Sequence, residues 1–242
     1  MSQIEKEKNN NNIYLKIIDG SLKQAVKPGT MGAEERTWQA GGKSGVAHEI
    51  SSPAAFGKIT NIAFYDGEYE GKKFKTLNIT LDENEDGKTP VISASVGTKY
   101  AQDIMKKLPG INFDEEVRIR PYSYIPDGEE KNVVGVEITQ RDRDGKFTEK
   151  VDNHFIKKTV VDGIERWIPT NGFPERTAPW SEQNDEEREI YKIQVRSFLI
   201  KSTEKIAQNF AEKPKSDAFD EAFKEKPAYP TDEINPDDIP FN

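Results

Sequence analysis

The sequence predicts a mainly β fold with one short internal helix and one long helix towards its C-terminal end. Three observations carry that reading. Asp-Gly recurs at 19-20, 66-67, 86-87, 127-128, 144-145 and 162-163. Several of these pairs are flanked by alternating apolar residues, the pattern of hairpins whose type I′ turns need positive φ at both central residues. Apolar residues fall at three- and four-residue spacing between 98 and 108, and a long stretch free of Gly and Pro begins at 181. No period of 20 to 50 residues repeats, which argues against a propeller or solenoid.

In chain order, residues 1–12 form a polar leader whose asparagine run is read as disorder. A core is expected over 13–180. Its glycine-rich stretch Thr37 to Gly45 (TWQAGGKSG) lacks the first glycine of a phosphate-cradling loop, because that position holds Thr37. Gly41 to Gly45 is therefore read as a flexible loop. Strands are expected over Phe56 to Tyr65, Lys73 to Leu81 and Pro90 to Val96. Thr98 is placed to cap a helix through Leu108, with Ala101, Ile104, Met105 and Leu108 on one side and Pro109-Gly110 stopping it. Two more strands follow, Glu116 to Ile125 and Asn132 to Gln140. Three strands, a helix and two strands is the element order of an OB-fold, a five-stranded Greek-key barrel that binds oligonucleotides or oligosaccharides across one face. An added β-hairpin, His154 to Val161 with Ile164 to Pro169, either extends the binding surface or caps the barrel. Ser181, followed by acids at 182, 185, 186 and 187, is the expected N-cap of a helix over 181–212 that docks on the barrel or pairs with a second copy. Residues 213–242, broken by Pro214, Pro227, Pro230, Pro236 and Pro240, form a flexible acidic tail.

The sharpest chemistry lies in the fourth strand. Side chains alternate faces along a strand, so Val117, Ile119 and Ile125 share one face while Arg118, Arg120, Tyr122 and Tyr124 share the other. Guanidiniums that track phosphates beside rings that stack on bases suit single-stranded nucleic acid whatever its sequence. The same composition recurs at Lys72, Lys73, Phe74 and Lys75, at Trp38 with Lys43, and at Lys157, Lys158, Arg166 and Trp167. Phe74 reads equally well as a core ring, and the three lysines around it as a solvated patch.

Composition narrows the classes further. The chain has 242 residues, 34% hydrophobic and 32% charged, with no cysteine, so disulfides, thiolate metal sites and cysteine nucleophiles are absent. No stretch approaches the roughly 18 apolar residues of a membrane span, and the first residues lack the apolar run of a signal peptide, so a soluble cytoplasmic protein is expected. The formal net charge is −8, yet residues 228–242 contain four acids and no base, so the remainder is closer to neutral. His48 and His154 build no metal motif, and no Ser sits in a G-x-S-x-G elbow. Asp66, Glu68 and Glu70 are the first place to look for a magnesium site, but they occupy a hairpin loop where acids are common without metal. A non-enzymatic protein without metal or cofactor is the expectation.

The chain ends Asp237-Asp238-Ile239-Pro240-Phe241-Asn242. Asp237, Asp238, Ile239, Pro240 and Phe241 resemble the acidic tip of bacterial single-stranded DNA-binding proteins. With an OB-like core ahead of it, the chain is similar to replicative single-stranded DNA-binding proteins of bacteriophages. The resemblance implies a core that coats single-stranded DNA during replication, recombination and repair. It also implies a tail that recruits polymerase, primase, helicase or recombination proteins. In that family the tip ends on phenylalanine, whereas here Asn242 follows Phe241.

Overall fold

The computed structural model describes residues 11–40, 43–69 and 71–211. The tail predicted over 213–242, with Asp237, Asp238, Ile239, Pro240 and Phe241, lies outside the described residues, as do Gly41, Gly42, Glu70 and the leader up to residue 10.

The architecture is mainly β. Strands β1 (Asn12–Ile18) and β2 (Ser21–Ala25) form a hairpin around Asp19-Gly20, both at positive φ as a type I′ turn requires. A second hairpin joins β3 (Glu34–Ala40) and β4 (Lys43–Ser52). Then come β5 (Ala55–Gly57), β6 (Ile59–Tyr69), β7 (Lys72–Leu81) and β8 (Thr89–Ser95), helix α1 (Lys99–Lys107), and β9 (Val117–Tyr124) with β10 (Val133–Arg141). Strand β11 (Phe147–Lys150), the hairpin β12 (Ile156–Val161) and β13 (Ile164–Pro169), and helix α2 (Asp185–Ala211) complete the chain.

Seven strands form one sheet in the order β3-β4-β2-β1-β8-β7-β6, and four form a second in the order β11-β10-β9-β5. The strand predicted over 56–65 is two strands, because the chain changes sheet at Lys58. There the Lys58 N–H donates to Asp82 Oδ1 at 2.8 Å and the Asp82 N–H donates to the Lys58 carbonyl at 2.8 Å. Gly57, at φ 143°, lies so close to Asp82 that a Cβ would collide with its carboxylate. β5 then pairs β9 while β6 pairs β7, and the bend lets one chain segment serve both sheets.

The two sheets face each other across one core. Leu22, Leu77, Ile79 and Ile92 of the first sheet and Val117, Ile119, Val136 and Ile138 of the second are all buried in it, with Ile104, Met105 and Leu108 from the α1 segment. Thr98 caps α1 as its sequence predicts, its hydroxyl accepting from the Ala101 N–H at 3.3 Å.

The predicted closed five-stranded barrel does not form, for a reason visible at two edges. Closure requires β8 to pair with β10. The open edge of β8 is taken by β1, which runs parallel to it from Asn12↔Thr89 to Lys16↔Ser93. The outer edge of β10 is taken by β11 from Thr139 to Arg141 and by α1 at Val136. Val136 stands opposite Pro121, which has no N–H to offer, and the Val136 N–H turns outward to Asp103 Oδ2 at 2.7 Å while its carbonyl accepts from Lys107 Nζ.

Other expectations shift in detail. Asn12, assigned to the leader, opens β1; Asp19-Gly20 and Asp144-Gly145 signal the turns of β1–β2 and β10–β11 without strand bounds, and β3 and β4 have no signal. Lys43 to Gly45, read as loop, begin β4. Asp66-Gly67, read as a turn, lies inside β6, and the chain turns instead near Gly71, at φ 80°. Ser181 does not cap α2. It sits in a 3-10 turn, Trp180–Glu182, and the cap is a reciprocal box: Asn184 Oδ1 accepts from the Glu187 N–H and Glu187 Oε2 from the Asn184 N–H, both at 2.9 Å. α2 does dock on the body of the fold, burying Val195 and Leu199 and setting Phe210 edge-on to Phe113.

Candidate nucleic-acid interface

The strand β9 is buried in strict alternation. Val117, Ile119 and Pro121 point inward, and Arg118, Arg120, Tyr122 and Tyr124 point outward. Ile125 does not join the inner face; it lies one residue past β9 and is 60% exposed. Pro121, two residues after Ile119, is the third buried residue of that face.

Neighbouring strands complete the outward face. Phe56 stands opposite Arg118 on one side, and Glu137 stands opposite Arg120 on the other. Glu137 Oε1 lies 3.0 Å from Arg118 Nη2 and 3.2 Å from Arg120 Nη2, and Oε2 lies 3.8 Å from Lys150 Nζ. Three cations thus share one carboxylate, which leaves this cluster net positive. Phe56 and Phe147 meet edge-on at 5.4 Å, and the Arg141 guanidinium lies 4.4 Å from the centre of the Phe147 ring.

Tyr122 and Tyr124 continue the row, ring centroids 6.0 Å apart. Tyr122 lies over Gly135, its cross-strand partner, so closely that a Cβ there would collide with the phenol oxygen. Burial, and then the carboxylate of Asp103, push the Tyr122 phenol above its ordinary value, so it remains a protonated donor. Tyr124 is 55% exposed and presents its ring to solvent. Phe56, Glu137, Arg141, Phe147 and Lys150 were missed at the sequence level. Only Lys150 and Arg141 had a detectable signal, as cations close to β10, and nothing local marked the register that brings all five together.

A second outward face belongs to the seven-stranded sheet. Directly paired residues share a face, and the register sets Ser51, Lys23, Lys16, Ser93, Asn78 and Ala63 in one row across six strands. By the alternation along each strand, Arg36 and Trp38 at one end, Tyr14 in the middle, and Tyr65, Phe74 and Lys72 at the other lie on this same face. Arg36 grips the buried Glu49 with two hydrogen bonds, at 3.0 and 3.1 Å. Trp38 lies flat over Gly45, where a Cβ would sit 2.7 Å from the indole.

The sequence-predicted residues therefore divide among several surfaces. Trp38, Lys72 and Phe74 belong by register to the seven-stranded face and Lys43 is the first residue of β4, Trp38 and Lys72 being five strand spacings apart, about 24 Å on a flat sheet. Lys73 and Lys75 fall on the opposite side of β7. Lys75 pairs with Asp66 at 2.9 Å there and lies 5.5 Å from the centre of the Phe64 ring. Asp66 is thereby engaged by a cation, and among the described residues no group of three His, Asp or Glu side chains is placed to hold a metal ion.

Lys157, Lys158 and Trp167 sit on the hairpin β12–β13, which forms a two-stranded sheet of its own. Trp167 is 67% exposed with Lys158 Nζ 5.9 Å from its ring centre, and Lys158 also pairs with Glu165 at 2.6 Å. The hairpin's base is tied down: the His154 N–H donates to the Lys106 carbonyl at 2.9 Å, Asn171 Nδ2 donates to the His154 carbonyl at 2.7 Å, and Phe155 packs against Phe173 and Phe198. An open cleft of about 400 Å³ lies beside this base, lined in part by Glu149, Lys150, Asp152, His154 and Lys157.

Comparison with protein-family models, with curated proteins and with solved structures finds no match to this chain. The functional reading rests on its own residues. Among those described, no helix is long and apolar enough to cross a membrane.

Proposed function

We propose that the protein binds single-stranded DNA without sequence preference, coating it during replication, recombination and repair, and engages replication proteins through its acidic segment 228–242. The observation that carries this reading is the outward face of β9, where Arg118, Arg120, Tyr122 and Tyr124 stand in one row beside Phe56, Phe147 and Lys150. Cations there neutralise phosphates and release counterions, while rings stack on bases at about 1–3 kcal/mol each.

An OB-like core is supported by the pairing pattern. A bent first strand (β5 with β6) pairs both the second (β7) and the fourth (β9), the third (β8) pairs the second, the fifth (β10) pairs the fourth, and a helix separates third from fourth. What departs from that fold is closure, the edges it would join being held by β1 on one side and by β11 and α1 on the other. The partner reading rests on the resemblance of Asp237 to Phe241 to the bacterial acidic tip.

The test is a titration with poly(dT) at two salt concentrations, following tryptophan fluorescence. Quenching that weakens steeply with salt is the expected result. No quenching, or quenching indifferent to salt, refutes the reading. Deleting residues 228–242 should tighten DNA binding at low salt and abolish capture of replication proteins; unchanged affinity and capture would remove the tail's assigned role.

A further inference from the structure

The hairpin β12–β13 and the first turns of α2 carry surfaces that fit each other. Register puts Lys157 opposite Ile168, Thr159 opposite Arg166 and Val161 opposite Ile164, so these six share one face of the hairpin. That face holds two cations, no acid, and Ile164 and Ile168, both exposed. Among the described residues neither Lys157 nor Arg166 is in an ion pair. A lone two-stranded hairpin is marginal in water, and one that leaves its isoleucines bare has a surface to cover.

On α2, Glu186, Glu189, Ile190 and Ile193 lie on one face by three- and four-residue spacing. Ile190 is 49% exposed and Ile193 60%, although the far side of the same helix buries Val195 and Leu199. Asp185, Glu186, Glu187 and Glu189 make this end acidic, with Arg188 and Lys192 drawn into pairs with Asp185 and Glu189. The two surfaces are also of similar length. From the Lys157–Ile168 pair to the Val161–Ile164 pair is about 13 Å along the strands, and from Glu186 to Ile193 is about 10 Å along the helix.

We infer that the basic, isoleucine-bearing face of the hairpin docks on the acidic, isoleucine-bearing face of α2 in a second copy of this chain. Among the described residues neither pair of isoleucines is covered within one copy, and the two surfaces carry opposite charge, so a neighbouring copy supplies the complement of each. Each contact joins unlike patches, so two copies that exchange both contacts close a two-fold pair, while copies that exchange one at a time add in a row. Trp167 and Lys158 lie on the other face of the hairpin and stay clear of the joint. The inference needs no nucleic acid and stands apart from the DNA reading.

The test is a charge exchange read by sedimentation velocity on the full chain, without DNA, at low salt. One variant carries Lys157→Glu with Arg166→Glu, the other Glu186→Lys with Glu189→Lys, and circular dichroism checks that both are folded. The wild type should associate increasingly with concentration, each variant alone should remain monomeric, and the two mixed should associate again. Ile193→Ser should weaken wild-type association without altering charge. A wild type that is monomeric throughout, variants that still associate alone, or a mixture that fails to reassociate would each overturn the inference.

Discussion

Arg120 and Glu137 stand directly opposite each other on β9 and β10, Nη2 to Oε1 at 3.2 Å, and that same oxygen holds Arg118 at 3.0 Å. One carboxylate therefore orients two guanidiniums and also repels any phosphate approaching them. Glu137→Gln keeps the shape and removes the charge. In the water-like dielectric of an exposed face the relief is worth about 1 kcal/mol, so single-stranded DNA should bind about fivefold tighter at low salt. A DNA titration of both proteins checks this, and unchanged affinity would remove the β9 face from the binding surface.

Tyr124 presents its ring to solvent, so little packing is lost when it is truncated. Tyr124→Ala should leave the unfolding midpoint almost unmoved while weakening DNA binding by about 1–3 kcal/mol, the worth of one stacked base. Comparing thermal unfolding with binding at fixed salt separates the two effects.

Gly135 is held to glycine by its neighbours. In Gly135→Ala the new methyl meets the Tyr122 phenol and lies 2.9 Å from Asp103 Oδ2. The ring must move, at a cost of about 1–3 kcal/mol, which lowers the melting temperature by roughly 2–4 °C per kcal/mol in a chain of this size. DNA affinity should fall with it, because the displaced ring leaves the row it shares with Tyr124.

Burial pushes the Tyr191 phenol above its ordinary value of 10.0, while the hydroxyl donates to the Pro174 carbonyl at 3.4 Å. A raised pKa in the folded state means that above pH 10 the unfolded chain ionises first, and stability is lost as pH rises. Tyr191→Phe removes that titration. The stability difference between wild type and variant should be flat below pH 10 and turn against the wild type above it, as denaturant unfolding across that range would show. A difference that stays flat would mean Tyr191 is not desolvated.

Local chemistry was legible in the sequence, and long-range register was not. The Thr98 cap, the helix it starts and the outward Arg-Tyr row of β9 all follow from residues within a few positions of each other. Hairpin β12–β13 followed likewise, its Asp162-Gly163 turn having the positive φ that the dipeptide favours. Apolar residues are sparse in β2 to β4, whereas β1 is apolar and only its parallel partner β8 lay beyond local reading. In β4 the buried positions are Ala47 and a charged Glu49, and Glu49 is tolerable only because Arg36 arrives from β3.

The glycine-rich stretch shows the same limit. Gly45 looked like loop material, yet it is the gap in β4 that Trp38 fills from across the hairpin, and Gly67 serves Phe74 in the same way. A glycine under a cross-strand ring and a glycine in a turn are alike until the partner strand is known. Likewise, nothing near Glu137 announces that it will meet two arginines. That follows only from how β9 and β10 are aligned.

Strand β1 is the one parallel partner among the described strands, joined to β8 across the whole of the intervening chain. As the protein leaves the ribosome, β1 to β4 can pair among themselves as local antiparallel neighbours. The second edge of β1, from Asn12 to Lys16, finds its mate only when residues 89–93 emerge, and the apolar face with Ile13 and Leu15 waits with it. At about 5–20 residues per second that wait is on the order of seconds. The nascent chain therefore passes through a stage with an apolar strand edge open to its neighbours, and any fragment ending before residue 89 never leaves that stage.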